Sequence, residues 1–292
     1  MSDSKQKCGT VALIGEANAG KSSLLNALIG TSVAITAAMA GTTREAIRGI
    51  LNVGNTQIIF VDTPGMQKAR NLLEKQMSRS ISGAVKTADV ICFVLDVTNV
   101  TPSALSKLAN YRDFGVPVLL TLTKIDRARP EKILSVLDQV KQYDFIKEFI
   151  PVSAHKRIGL DDLIRSLIQY LPAGDAIFSA DEYTDSSERA MAAEIIRGAV
   201  INHTKNEVPA GVKVTLTKFA TRDRTIEIAA DIICDKPNHK KIIIGNQGKM
   251  IRAIGITARR DLEKMLGRHV DLTTFVVVRP GWRDKTDYLI NQ

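Results

Sequence analysis

Gly15-Glu16-Ala17-Asn18-Ala19-Gly20-Lys21-Ser22 has the spacing G-x-x-x-x-G-K-S, directly after the apolar run 11–14 and directly before the helical-period stretch 23–29. A glycine-rich turn between a strand and a helix lets successive backbone N–H groups curl around phosphate oxygens at the helix N-terminus, where the aligned peptide dipoles favour negative charge. In that setting Lys21 adds a cation on the β and γ phosphates, and the Ser22 hydroxyl ligates Mg²⁺. The eight letters alone are a modest signal. With strand, loop and helix in that order they read as a nucleoside-triphosphate site and set the class of fold around it.

Further along, Asp62-Thr63-Pro64-Gly65 closes the apolar run 58–61. An acidic residue there can hold Mg²⁺ through its water shell, and a glycine N–H can face the γ-phosphate. Thr123-Lys124-Ile125-Asp126 ends the run 116–122, and Ser153-Ala154-His155 ends 148–152. The Asp126 carboxylate can accept from both N1–H and the exocyclic amine of guanine. Adenine has a donor at neither position, so the carboxylate would be left unpaired and GTP is favoured over ATP. A backbone N–H in Ser153-Ala154-His155 is expected to donate to guanine O6. Each short motif is weak alone; their succession at strand C-termini carries weight, because ligands of open α/β sheets sit outside that edge.

Between residues 10 and 171, short β-branched runs (11–14, 57–61, 90–95, 116–122, 148–152) alternate with helical periods. This predicts an α/β domain, a mostly parallel sheet with helices on both faces. A closing amphipathic helix over 160–171 is stopped by Pro172, and 173–187, small, acidic and aperiodic, reads as a linker. The expected organisation is therefore 1–172, a linker at 173–187, and a second domain at 188–292. The second has a different order: helix 188–203, strands 212–219 and 225–234, helix 240–244, the loop Gly245-Asn246-Gln247-Gly248, helix 249–266 and strand 270–278. That is a smaller α+β module.

The chain has 292 residues, 45% of them hydrophobic, and a net charge of +9. The charge is uneven: residues 1–186 hold 21 Lys/Arg against 19 Asp/Glu, and residues 187–292 hold 19 against 12. Nine cations fall within 236–268, with only Asp261 and Glu263 opposing them. Such a cluster is an electrostatic footprint for nucleic acid, whereas a merely solvated face would mix both signs. Three distant cysteines and four dispersed histidines suggest neither a disulfide framework nor a zinc site. The polar start of the chain has no apolar leader, and no run approaches the roughly 18 apolar residues of a membrane span, so a cytoplasmic location is expected.

The motif set resembles the translation-factor-related GTPases, with G1 at 15–22, G3 at 62–65, G4 at 123–126 and G5 at 153–155. The resemblance implies a G2 element between G1 and G3, for which Gly41-Thr42-Thr43-Arg44-Glu45 is the candidate. Thr43, with Thr42 as the alternative, would complete the Mg²⁺ shell beside Ser22 and Asp62, and residues 31–44 would be ordered by the γ-phosphate and released after hydrolysis. Lys21, Thr43 and Gly65 are then the residues expected to act on the transferred phosphate. Two positions depart from the pattern. Thr123 replaces the usual Asn, keeping one hydrogen-bonding group and losing the amide's double reach. Met66 stands where a water-positioning Gln would fall, so slow intrinsic hydrolysis is expected. In related GTPases with an apolar residue there, a phosphate-loop Asn helps to bind K⁺; Asn18 matches that Asn, and K⁺-stimulated hydrolysis is the expectation.

The loop 245–248, with its preceding isoleucines and following Lys249, resembles that of a type II KH domain. In such modules a G-x-x-G loop lets a nucleic-acid backbone approach, and an apolar groove beside it receives unstacked bases. The expected RNA contacts are Lys241, Ile244, Gly245, Asn246, Gln247, Gly248, Lys249, Ile251 and Arg252. Taken with Glu194-Ile195-Ile196-Arg197 and Gly281-Trp282, the whole set is similar to the Era family, bacterial GTPases with a C-terminal KH domain. That resemblance implies GTP/GDP and Mg²⁺ as ligands and the 3′ region of 16S rRNA and the 30S subunit as partners. It also implies a monomer, a peripheral contact with the inner membrane surface, and a GTP-hydrolysing switch that assists 30S assembly. Two other classes fit the same residues: a tRNA-modification-type GTPase, which shares the G2 sequence, and a GTP-dependent protein-interaction adaptor. Trp282 reads two ways, as a base-stacking surface or as the cap of a core.

Overall fold

The computed structural model describes residues 6–31, 33–35, 43–67, 69–205, 208 and 211–287. Contacts divide the chain into two compact units: Met1–Ala34 with Thr43–Lys68 and Gln76–Asp185, and Ser186–Gln292 with Ile35–Thr42 and Ala69–Lys75.

From the start of the first unit β1 (Lys7–Ile14), α1 (Lys21–Ile29), β2 (Ile47–Val53), β3 (Thr56–Asp62), α2 (Leu72–Lys86, of which 76–86 belong to this unit), β4 (Val90–Asp96) and α3 (Pro102–Ala109) follow in chain order. They are succeeded by β5 (Val118–Thr123), α4 (Pro130–Val140), β6 (Ile146–Pro151) and α5 (Leu160–Tyr170). The sheet order is β2-β3-β1-β4-β5-β6, parallel throughout except for β2, which runs antiparallel to β3. Alternate residues of the central strands enter two cores. Leu13, Phe60, Cys92 and Leu119 meet Leu24 and Leu28 of α1 and Leu163 and Leu167 of α5 on one face. Ile14, Val61, Phe93 and Leu120 meet Val85, Leu108 and Val136 on the other. Each fully buried side chain of this kind contributes about 1.5–3 kcal/mol, and both faces are covered, which is why the strands read as continuous apolar runs. Strand β2 was not among the expected runs. Arg48, Asn52 and Val53 are exposed on it and Gly49 interrupts it, so its apolar signal is thin. Gly49 is there for close packing: a Cβ would come 2.7 Å from Leu25 Cδ1.

The stretch read as a linker is fastened along this edge as far as Asp185. Gln57, almost fully buried, accepts through Oε1 from the N–H groups of Ile177 (2.8 Å) and Phe178 (2.9 Å) and donates through Nε2 to Phe178 O (2.9 Å). Ile50 N–H donates to Tyr183 O at 2.9 Å, Thr184 Oγ1 to Arg48 O at 2.7 Å, and Arg48 pairs with Asp185 at 2.9 Å. The low apolar content of 173–185 gave no hint of this, because the fastening is polar.

The second unit holds α6 (Glu188–His203), β7 (Val212–Arg222), β8 (Thr225–Cys234), α7 (Pro237–Ile244), α8 (Lys249–Leu266) and β9 (His269–Val278). Ser187 caps α6 by accepting from Ala190 N–H. β7 and β8 form an antiparallel hairpin and β9 adds parallel to β8, so one face of a three-stranded sheet packs on the helices through Ile196, Val200, Ile228, Ile232, Ile254 and Leu262. Trp282 is fully buried beside Ile233, its Nε1–H donating to Gly211 O at 3.1 Å. It caps a core and presents no face for a base.

Candidate functional site

β1 delivers Gly15 to the sheet edge, and the loop turns through Asn18 (φ 63°) and Gly20 (φ 96°) into α1. A side chain at Gly15 would strike Val94 O at 2.3 Å. Lys21 is buried under the loop, its Nζ donating to Gly15 O (3.1 Å) and Glu16 O (3.0 Å). Burial pushes its ammonium down to about 8, against the opposing pull of Asp62 and Glu16. The strand end of β3 brings in Asp62, Thr63 Oγ1 donates back to Leu13 O (2.8 Å), and Met66 N–H donates to Gly15 O (3.1 Å). Pro64 lies between them, and Gly65 sits against the phosphate loop so closely that a Cβ would come 2.6 Å from Ala17 Cα. Met66 turns its side chain away into the apolar core around Phe93 and Leu108, with Tyr111 Oη 3.5 Å from its Sδ.

Three oxygen-bearing residues converge beneath this edge. Asp62 Oδ2 accepts from Ser22 Oγ (2.6 Å) and Thr43 Oγ1 (3.3 Å), and the two hydroxyls are 2.9 Å apart. Asp62 Oδ1 is buried with no hydrogen-bond partner, and burial raises the carboxyl above its usual range despite Lys21, Ser22 and Thr43. A buried carboxylate oxygen left unpaired is costly, and hard oxygen donors at this spacing fit Mg²⁺ and its water shell. Thr43 is thus brought to Ser22 and Asp62. Gly41 and Thr42 lie outside the described residues. Within the expected switch segment 31–44, two residues are fastened to α1: Asn26 accepts through Oδ1 from Val33 N–H (2.9 Å) and Ala34 N–H (3.0 Å) and donates to Ala34 O (2.8 Å), and both residues are buried.

At the guanine end, Thr123 Oγ1 donates to Ala19 O at 2.6 Å, so the hydroxyl that replaces Asn still ties the strand to the phosphate loop. Lys124, in the left-handed region (φ 59°), donates from Nζ to Asn18 O (2.8 Å) and to Asp96 Oδ2 (2.6 Å). Ile125 packs beneath against the core of α3 and α4. Asp126 Oδ1 accepts from Ser153 Oγ at 2.6 Å, which holds the carboxyl below its usual range. Ser153 N–H is committed to Ile158 O (2.9 Å), which leaves Ala154 and His155 as the candidates for the expected donor to guanine O6. Gly159 closes the turn, where a Cβ would meet Pro151 O at 2.2 Å. The expected residues of 15–22, 62–66, 123–126 and 153–155 therefore meet along one sheet edge. Missed were Asp96, which the same strand-end rule would have found at the end of β4, and Asn26, Thr101, Ser103 and Lys107, for which no sequence signal exists.

In the second unit Gly245 (φ 72°), Gln247 (φ 51°) and Gly248 (φ 73°) make a tight turn between α7 and α8. A Cβ on Gly245 would lie 2.6 Å from Met250 Cβ. α8 starts at Lys249 with no side chain capping its first-turn N–H groups, a ready site for phosphate. Asn246, Gln247, Lys241, Lys249 and Arg252 are exposed, and Ile244 and Ile251 are half-buried beside them. Among the described residues none of the three cations is in an ion pair.

Fold and site together define a guanine-nucleotide-type P-loop module joined to a type II KH module. A family model described as 50S ribosome-binding GTPase matches residues 10–124, and a KH-domain model matches 207–283. GTPase Era of Lactobacillus delbrueckii subsp. bulgaricus is 37% identical over 287 residues, 98% of this chain and 95% of that protein. The Aquifex aeolicus GTPase Era is 38% identical, covering 97% of each. A crystal structure of Era in complex with MgGDPNP and nucleotides 1506–1542 of 16S ribosomal RNA matches with a TM-score of 0.93 at 37% identity, over 97% of both chains. An Aquifex aeolicus Era variant bound to GDP·AlF4⁻ matches with 0.92 at 37% identity, over 97% of this chain and 98% of that one. The chain belongs to the Era family of GTPases.

Proposed function

We propose that this protein is a GTP-hydrolysing switch that grips the 3′ region of 16S rRNA through its KH module and assists assembly of the 30S subunit. The observation that carries the reading is the presence in one chain of both a guanine and phosphate edge and a G-x-x-G turn whose three cations are unpaired among the described residues. The relatives of known structure, one with MgGDPNP and a 16S rRNA fragment and one with GDP·AlF4⁻, support it.

In this reading Asp126, oriented by Ser153, pairs with guanine, and Lys124 covers the base. The amides of 15–22 and Lys21 hold the phosphates, Gly65 N–H faces the γ-phosphate, and Ser22, Thr43 and Asp62 hold Mg²⁺ directly or through water. The metal supplies charge neutralisation for the departing diphosphate. Met66, turned into the core, orients no water, so unassisted turnover is slow. Asn18, exposed beside the loop, is the candidate K⁺ ligand; turnover in KCl should exceed that in NaCl, and equal rates remove this role. RNA contacts are assigned to Lys241, Ile244, Gly245–Gly248, Lys249, Ile251 and Arg252. Residues 1–172 act as the GTPase domain and 188–292 as the RNA-binding domain, in a cytoplasmic monomer that touches the inner membrane only peripherally. Among the described residues no helix is long and apolar enough to cross a membrane.

The test is paired. Calorimetry should show GTP bound and ATP rejected. Fluorescence anisotropy of a labelled 16S 3′-end RNA should give different affinities with GDP and with a non-hydrolysable GTP analogue. Indifference between the purines, or equal RNA affinity in the two states, overturns the reading.

A further inference from the structure

Glu16 occupies the second position of the phosphate loop, yet its side chain leaves the loop and crosses to α3. Oε2 accepts from Thr101 Oγ1 (3.2 Å), and Oε1 accepts from Ser103 Oγ (3.0 Å) and Lys107 Nζ (2.7 Å). Burial works against its charge, but the bonds from Lys107, Ser103 and Thr101 outweigh it and hold the carboxyl below the usual range. Lys107 Nζ has further protons to give, and it also lies 3.3 Å from Met66 O. Met66 is thereby held on both sides, the N–H of the Gly65–Met66 peptide on Gly15 O and the C=O of the Met66–Gln67 peptide on Lys107. Gly65, the residue before it, lies flush on Ala17.

We infer that Lys107 is a positioning residue for GTP hydrolysis: clamped by Glu16, it holds the Met66 carbonyl and so restrains the turn that follows Gly65, which sets where the Gly65 N–H meets the transferred phosphate. The inference rests on the proposed GTPase reading. A purely structural role is the competing account, and the geometry argues against it. The Glu16 and Lys107 side chains are still 25% and 31% exposed, so solvent screens part of their attraction and limits what the pair adds to folding. What the pair does is tie two segments of the phosphate edge, the phosphate loop and the start of the segment after Gly65, to α3. Displacing a reacting or stabilising group by a fraction of an ångström costs turnover far more than it costs affinity.

The experiment compares the full-length protein with Lys107→Met, Lys107→Arg, Glu16→Gln and the Glu16→Gln/Lys107→Met double variant, reading kcat and KM for GTP, the affinity for a fluorescent GTP analogue, and thermal unfolding. Lys107→Met should lower kcat by roughly tenfold while KM and analogue affinity stay within about twofold. Lys107→Arg, which keeps donors to both partners, should recover most of the loss. The double variant should be no slower than the slower single one, because both remove the same clamp. Unchanged kcat in Lys107→Met, multiplying losses in the double variant, or losses confined to KM and melting temperature each overturn the inference. A wild-type protein that turns over no GTP would instead overturn the GTPase reading beneath it.

Discussion

Asp126 can discriminate guanine only if its carboxylate plane is fixed, and the fixing hydroxyl is that of Ser153, 2.6 Å from Oδ1. Ser153 is itself immobilised by the reciprocal bonds between its backbone and Ile158. Removing the hydroxyl in Ser153→Ala should weaken GDP binding about tenfold, the worth of one hydrogen bond to a charged group. The sign with pH follows from the lowered carboxyl. Asp126 is held below the ordinary carboxylate range chiefly by the Ser153 hydroxyl, and losing that bond would return it only toward that range, below pH 6. The tenfold loss should therefore be the same at pH 6 and pH 8 in a calorimetric titration; a loss that grew on acidification would mean that the hydroxyl governs charge instead of orientation.

Among the elements, α1 does two jobs, presenting Lys21 and Ser22 at its start and fastening Val33 and Ala34 through Asn26 further along. Asn26→Ala should cost about 1–3 kcal/mol, because it strands two N–H groups and a carbonyl in a buried setting. Hydrogen exchange at Val33 and Ala34 should accelerate while that of the β1 amides follows only the global loss; unchanged protection would show another restraint at work. The strands of the central sheet were legible because both of their faces are buried, so that β1, β3, β4 and β5 each carry a run of apolar residues, and the motifs at the strand ends were legible because fixed spacing reflects fixed backbone geometry. Three things were not. In β2 the apolar residues are broken up by Arg48, Gly49 and Asn52, so no run announces it. The Asn26 fastening and the Glu16–Lys107 pair join residues 7 to 91 positions apart through polar groups, and no periodicity encodes such contacts. α7 begins at Pro237, three residues before its apolar period becomes readable, because proline suits the first helical turn.

For the whole molecule, charge is the governing quantity, since residues 187–292, with 19 Lys/Arg against 12 Asp/Glu, hold most of the net +9 and contain the G-x-x-G turn. Neutralising Lys249 and Arg252 together should weaken RNA binding and reduce the magnitude of its logarithmic salt slope by up to about 1.4, at about 0.7 per phosphate contact to a single strand. A slope measured between 50 and 300 mM salt that does not change would make these cations bystanders. The polar fastening of residues 176–185 along β2 has its own consequence for solution behaviour. An outermost strand offers its backbone to any passing polypeptide, and proteins that leave such a border bare tend to self-associate. Here the chain's own later residues lie over that border, with Tyr183 O taking the Ile50 N–H and Gln57 gripping Phe178. A fragment ending at Tyr170 should accordingly form higher-order species in light scattering at concentrations where one ending at Asp185 remains single. The dozen or so residues that look like a spacer would then serve as a sheath against aggregation.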